Sequence, residues 1–273
     1  MMTLAGGEGS GGKRRSGGNF GFAGFRYETV VALAGLAIVW QVVSLFVPHF
    51  LFPSVPEIAE RLLAIFTSWN SISDALATSA RILAGLGGAF VLGTCLAMPM
   101  ARSAAFERYV YPLLNFNQGI PALSWVVIAI IWFRGIEFRI FFIMVMTTLP
   151  AFTFQVLDAY RAMSKDLFEM TLSFRPTRLD LFRTLIWPTV LPGILTAWKV
   201  NLGNASRVVV VAELVGATGG VGYELLQQQQ IFDMAGAVAW TLVLVIFVLI
   251  VQGCITLIET RALAYRAFAE HAL

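Results

Sequence analysis

The stretch "FEMTLSFRPTRLDLFRTLIWP", residues 168–188, decides the fold because it is an amphipathic segment inside an otherwise apolar chain. Its apolar residues recur at helical spacing on both sides of Pro176. Pro176 disfavours a helical backbone at Arg175, and Thr177 followed three residues later by Asp180 is typical of a capping box. The stretch therefore predicts two short amphipathic helices with a break at Pro176.

The composition of the whole chain is that of an integral membrane protein. Of its 273 residues, 58% are hydrophobic and 13% are charged, against roughly 25% charged residues in soluble domains. The net charge of +3 would suggest nucleic-acid binding in a soluble protein. In a membrane protein the basic residues mark the two sides of the bilayer instead, so we expect lipid surroundings and no nucleic acid.

Six apolar runs are close to the roughly 20 residues that a helix needs to cross a bilayer. They are residues 30–47, 82–100, 112–133, 140–157, 190–215 and 237–258. The third contains Asn115, Asn117, Gln118 and Pro121, which predict a broken helix buried by protein. We therefore expect an all-α membrane domain of six transmembrane helices over residues 28–262, with a short external helix near residues 57–66.

The distribution of Lys and Arg predicts the orientation. Thirteen of the 19 basic residues fall in segments on the side of the amino terminus, and only Arg61, Arg134 and Arg139 fall in segments on the other side. By the positive-inside rule both termini are then cytosolic. We therefore expect residues 168–188 to lie in the cytosol between the fourth and fifth spans, residues 1–27 to form a disordered basic tail rich in glycine, and residues 263–273 to form a cytosolic tail.

The chain is not expected to bind a cofactor or metal, or to catalyse a reaction. Gly7, Gly12 and Lys13 match a phosphate-binding P-loop, but Arg14 replaces its final Ser or Thr, no strand precedes the match and no helical pattern follows it. The match is therefore attributed to chance. We find no group of nucleophiles, histidines or carboxylates that recurs on one span face.

A lone amphipathic segment usually lies flat on lipid, but residues 168–188 resemble the cytosolic loop of bacterial ABC-importer permeases. That loop has the consensus Glu-Ala-Ala, three residues, Gly, nine residues, Ile-x-Leu-Pro, and Glu169, Leu185 and Pro188 stand at its Glu, Ile and Pro positions. Met170 and Thr171 replace the alanines, Arg175 the glycine and Trp187 the leucine. Glycine permits a left-handed helix end, so we expect Arg175 to turn the chain by another backbone route.

The resemblance extends over about residues 48–261, to permeases of the sulfonate, taurine and nitrate branch. It is carried by "LPGILTAWKVNLG" (residues 191–203), "VVVVAELVGATGGVGYELLQQQQIFD" (208–233), "LFPSVPEIAERLLAIF" (51–66) and "IWFRGIEFRIFFIMV" (131–145). It implies the type I importer permease fold in the bacterial inner membrane. It also implies a second permease subunit, two ATPase subunits that use ATP and magnesium, and a periplasmic or lipoprotein solute-binding protein.

The resemblance further implies that the first short helix, about residues 164–174, is a coupling helix. Its apolar face would dock in a groove of the ATPase subunit, and its movement would be relayed through a second helix ending at Pro188. The residues expected to couple are Leu167, Phe168, Glu169, Met170, Thr171, Leu172, Phe174 and Arg175.

The fifth run carries a polar stripe. At 100° per residue the following positions fall within an arc of about 120°: Lys199, Gly203, Ser206, Arg207, Val210 and Glu213. Lipid exposure of this stripe is unfavourable because a charge at the bilayer centre costs roughly 2.5–3.5 kcal/mol. In one interpretation Lys199 reaches the cytosolic edge and Arg207 pairs with Glu213 or a partner chain. In the other, Lys199, Ser206, Arg207 and Glu213 line a translocation pathway that favours an anion.

Two further functions stay open at this point. A secondary transporter would be expected to have repeated halves and carboxylates within its spans, where only Glu213 qualifies. A permease for an uncharged aromatic or pyrimidine-type solute would share every feature above. Arg81, at the edge of the second run, is expected to extend its charge to the outer interface.

Overall fold

The computed structural model describes residues 27–48 and 50–262, where the regular structure is helical. The near match to a P-loop and almost all of the two expected tails lie outside these residues. The helices are α1 (Tyr27–Ser44), α2 (Val55–Thr67), α3 (Trp69–Arg102), α4 (Ala104–Gly119), α5 (Ala122–Trp132), α6 (Ile136–Arg161), α7 (Lys165–Ser173), α8 (Arg178–Leu181), a π-helical turn (Phe182–Ile186), α9 (Trp187–Gly216), α10 (Val221–Gln230) and α11 (Met234–Ala262).

The described helices accommodate the six expected spans. α1, α3, α6 and α11 are each long and apolar enough to cross a membrane, and two bent pairs bring the number to as many as six. The pair α4 and α5 bends by 94°, which confirms the predicted break in the third run. The break lies at Pro121, which holds the preceding Ile120 in an extended conformation (φ −77°, ψ 122°).

The core lies where α3 and α6, which run parallel, pack against the antiparallel α9. Glycines on α3 allow α3 and α6 to approach each other closely. A Cβ atom on Gly85 would lie 2.5 Å from Cβ of Met144, and one on Gly88 would lie 2.6 Å from the ring of Phe141. Small residues at helix crossings are the usual means of close packing in membranes. The core residues include Ile82, Leu86, Val126, Ile143, Phe152, Leu202 and Val209.

The two ends of the bundle differ. At the α2 end, Nε1 of Trp40 donates to the Pro53 carbonyl over 3.0 Å and the Val55 amide donates to the Gln41 side chain over 2.9 Å, which fixes α1 to α2. α2 begins with a capping box between Ser54 and Glu57. The expected short helix near residues 57–66 is thereby confirmed. The opposite end carries α7 and α8 and is called the α7 end below.

Residues 216–236, between the fifth and sixth apolar runs, contain α10. The turn before it requires glycine, because Gly220 has φ +115°, a conformation that other residues rarely adopt. Val221 is buried in α10 and packs in a cluster with Trp240 of α11. Burial of this apolar side stabilises a helix in a segment that is rich in glycine and glutamine.

Candidate functional site

The first half of residues 168–188 forms α7, as predicted. The helix runs Lys165–Ser173, and Ser164 before it has an extended backbone. Its two hydroxyl side chains bond locally: Thr171 donates to the Leu167 carbonyl over 2.7 Å and Ser173 donates to the Glu169 carbonyl over 3.1 Å. None of its residues is buried. The helix therefore stands out from the α7 end without a cover from the rest of the described chain.

Four large apolar side chains of this segment are exposed, and we call them the α7 patch: Leu167, Met170, Leu172 and Phe174. Phe174, just past the helix end, is 81% exposed. Phe168 and Thr171 are half-buried, whereas Glu169 and Arg175 are exposed. An exposed apolar group with a charged rim is typical of a surface that binds protein or membrane.

The chain leaves α7 through a left-handed residue. Arg175 has φ +49°, and its amide donates to the Leu172 carbonyl over 2.9 Å. The expectation that Arg175 would take another route than the family's glycine is therefore wrong. Such a conformation is unfavourable for a residue with a Cβ atom, so the surrounding turn must hold it in place.

The second half of the segment begins with the predicted capping box. The Asp180 amide donates to the Thr177 hydroxyl over 3.2 Å, and the Thr177 amide donates to the Asp180 carboxylate over 3.3 Å. The sequence suggested that the second helix ends at Pro188, and this expectation is wrong. The helix continues through the π-helical turn into α9, and the amide of Trp187 bonds to the carbonyl of Phe182, five residues back. This wider turn accommodates Pro188, which has no amide to donate.

A cavity of about 320 Å³ lies beside the π-helical turn. Helices α3, α6 and α9 and the π-helical turn line it, and the lining includes Thr94, Tyr160, Phe182, Ile186 and Trp187. The cavity is partly open, and it borders the start of α9.

The four pathway candidates on α9 occupy different surroundings. Lys199 forms an ion pair with Glu259 of α11. The hydroxyl of Ser206 is bonded to the Gly203 carbonyl over 3.0 Å and the residue is buried, whereas Arg207 is exposed. Glu213 is 1% exposed. The structure thus separates Arg207 from the other two charges of the stripe.

Glu213 pairs with Arg81 of α3, so the suggested pair with Arg207 is wrong. Nη1 of Arg81 lies 2.7 Å from Oε1 of Glu213 and 2.8 Å from the Gly219 carbonyl. The Thr78 hydroxyl donates to Glu213 over 2.9 Å, and the Gly222 amide donates to it over 2.8 Å. Three donors, from Arg81, Thr78 and Gly222, therefore surround this buried carboxylate, as a buried charge requires.

Arg81 also binds a second carboxylate. Nε lies 3.0 Å from Oε2 of Glu137, and Nη2 lies 2.5 Å from Oε1 of the same residue. Only 12% of the Arg81 side chain is exposed, so its charge is enclosed by these partners and does not extend freely to the interface. We call Thr78, Arg81, Glu137 and Glu213 the Arg81 network. It joins α3, α6 and α9 at the α2 end.

The Arg81 network was missed because its members are distant in sequence. Arg81 and Glu213 are 132 residues apart. One signal was available, since both charges lie near the same predicted membrane face in otherwise apolar runs. An unpaired charge there is unfavourable, so each predicts an opposite partner at the same depth.

Comparison with known proteins gives a family match. The family described as "Binding-protein-dependent transport system inner membrane component" matches residues 89–263, which is more than half of the chain. The formylaminopyrimidine transport permease protein ThiX of Halalkalibacterium halodurans is 27% identical over 232 residues, covering 85% of this chain and 92% of its own.

Two further relatives and a solved structure agree. The taurine transport system permease protein TauC of Escherichia coli is 25% identical, covering 71% of this chain and 74% of its own. The putative aliphatic sulfonates transport permease protein SsuC of Bacillus subtilis is 27% identical, covering 65% and 66%. An inward-facing structure of the MetNI methionine ABC transporter superposes with a TM-score of 0.64 and 21% identity, covering 71% of this chain and 96% of the matched chain. That likeness shows the fold.

Proposed function

The chain belongs to the family of inner membrane components of binding-protein-dependent transport systems, and we propose that its α7 patch docks on a separate ATPase subunit. The protein is a permease subunit of an ABC importer and a multi-pass inner-membrane protein. Family membership also decides against the secondary transporter considered above. The family's relatives are transport permeases, consistent with a subunit that is not itself an enzyme.

The observation that supports docking is the combination of an exposed apolar patch with a rigid attachment. Leu172 is 45% exposed and Phe174 is 81% exposed, while the turn at Arg175 and the capping box connect the patch to α9. A patch free to move would transmit no force. One joined through a defined turn to the continuous helix of α8, the π-helical turn and α9 can pass a displacement of the ATPase to the start of α9, beside the cavity.

Co-purification with an ATPase tests this proposal. The permease is expressed with the ATPase subunit encoded beside it, and the double variant Leu172→Ala/Phe174→Ala is expected to recover at most about one tenth as much ATPase, because apolar anchors at interfaces contribute about 2 kcal/mol or more each. Leu63→Ala is the matched control, since Leu63 is 66% exposed on α2 at the opposite end. Equal ATPase recovery by all three proteins would contradict docking through the α7 patch.

We further propose the assembly and orientation that the family implies. Two ATPase subunits bind the α7 patches of two permease subunits in the cytosol, and both termini of the chain are cytosolic. A solute-binding protein delivers substrate to the α2 end. The outer faces of α1 and α11 are apolar and little covered by the rest of the chain, which suits contact with lipid and with a second permease subunit.

The substrate proposed first is a small organic anion. Arg207 is exposed on α9, within a helix that also forms part of the core, and an exposed cation in a span is unfavourable unless it faces water or protein. Placed between two permease subunits, it would attract an anion. The taurine and sulfonate permeases among the relatives support this substrate class.

An uncharged pyrimidine is the second candidate substrate. It is supported by the ThiX relative, a formylaminopyrimidine permease, which covers 85% of this chain. Arg207 would then pair with a partner chain and would not contact the substrate.

The variant Arg207→Ala distinguishes these substrates. In the importer reconstituted with its own ATPase and binding protein, we expect uptake of taurine or an alkanesulfonate to fall about tenfold or more, because a charge-assisted hydrogen bond contributes about 1.5–3 kcal/mol. Arg207→Lys retains the charge and should keep most of the uptake. Undiminished anion uptake by Arg207→Ala would contradict the role of Arg207 in an anion pathway.

A further inference from the structure

The guanidinium of Arg81 is held in place from one side. Its Nη1 atom is bound by the Glu213 carboxylate and the Gly219 carbonyl. Glu213 is itself fixed by Thr78 and Gly222. These contacts therefore fix the orientation of the remaining edge of the guanidinium, which carries the Nε and Nη2 donors. That orientation does not depend on the residue bound at this edge.

The partner bound at this edge is Glu137, whose side chain is 71% exposed. It binds Arg81 through both Nε and Nη2, so a ligand that replaces it must supply two acceptor oxygens in the same geometry. In the buried pair, the negative charge of Glu213 already neutralises the positive charge of Arg81. Glu137 can therefore turn into water without leaving an uncompensated charge in the interior.

The space in front of this edge could hold an organic group. An open surface pocket of about 390 Å³ is lined by Arg81, Ala84, Glu137, Phe138 and Phe141. Apart from Arg81 and Glu137, its walls are the methyl group of Ala84 and the rings of Phe138 and Phe141. Two parallel N–H donors beside an apolar space match a molecule with an oxyanion at one end and a short carbon chain at the other.

We propose that the Nε and Nη2 edge of Arg81 is an exchangeable binding site for the carboxylate or sulfonate group of a small organic anion, with Glu137 as the tethered group that the ligand replaces. The site rests on the proposed anionic substrate class. It lies at the α2 end, where the solute-binding protein is proposed to deliver substrate, and so it would hold an anion at entry. Glu137 competes for the same donors, which keeps binding weak and release fast.

Binding of ethanesulfonate to the purified chain in lipid nanodiscs tests the site. We expect Glu137→Ala to bind at least tenfold more tightly than the wild type by calorimetry at constant ionic strength, because its competitor is gone. Glu60→Ala is the matched control, since it removes an exposed carboxylate at the same end and should bind as the wild type does. Ethanesulfonamide, the neutral analogue, should not discriminate among the three proteins.

A double variant identifies the donor. Adding Arg81→Lys to Glu137→Ala retains a cation for Glu213 but removes the two parallel donors, and the gain in affinity should disappear. The proposal is overturned if Glu137→Ala binds no more tightly than Glu60→Ala, or if the gain survives Arg81→Lys. These measurements need no ATPase, so their failure would leave the docking of the α7 patch intact, and failure of co-purification would leave this site intact.

Discussion

Leu172→Asp should abolish transport while the protein still inserts in the membrane. Leu172 is 45% exposed on α7, a helix with no fully buried residue, so the change should disturb little internal packing. In the docked complex the same side chain would enter an apolar groove, where an unpaired carboxylate is strongly unfavourable. Loss of a central interface contact commonly corresponds to about 2–4 kcal/mol, and we expect substrate-stimulated uptake to fall roughly 30-fold or more.

Uptake and ATP hydrolysis are measured together in proteoliposomes that contain equal amounts of permease. Ser173→Asp is the control, because it adds the same charge at the next exposed position of the same helix. We expect it to keep most of its uptake. Normal uptake by Leu172→Asp at normal expression would exclude the α7 patch as the coupling surface.

Arg81→Leu should destabilise the protein more than any other change considered. It removes the cation beside Glu213, which is 1% exposed, and it removes the donor to the Gly219 carbonyl. Breaking a buried ion pair from one side typically costs about 3–5 kcal/mol. For a chain of this size the midpoint of thermal unfolding would fall by on the order of 10 °C.

The measurement is the thermal unfolding midpoint of the purified protein in one detergent. Arg134→Leu is the matched control, since Arg134 is an exposed arginine at the same end of the bundle, and its midpoint should stay within a few degrees of the wild type. Equal midpoints for the two variants would mean that the Arg81 network contributes little to stability.

These two predictions differ in how far the sequence supported them. α7 and the capping box at Thr177 were predicted correctly because their signals are local: helical spacing, a proline and a side chain that bonds three residues away. The Arg81 network was not predicted, because a pair 132 residues apart depends on how α3 and α9 pack. The polar stripe was derived from one helix alone, and it could not show that Glu213 turns towards α3.

The errors at Arg175 and Pro188 have another origin. In both places the sequence rule is valid, but the backbone adopts a rarer conformation that the rule does not consider. Arg175 adopts the left-handed conformation despite its side chain, and Pro188 is tolerated within a continuing helix because a π-helical turn precedes it. Propensities rank such conformations as rare, and tertiary context decides where they occur.

The π-helical turn sets the angle from which the α7 patch is presented. Each residue of an α-helix turns the chain by about 100°, and the turn at Phe182–Ile186 fits one more residue into its loop than an ordinary helical turn would. Shortening it by a single residue would swing α8, and α7 beyond it, through roughly a quarter of a circle about the axis of α9. If the α7 patch docks on an ATPase as proposed, the length of this five-residue segment would set the alignment of the permease with that ATPase.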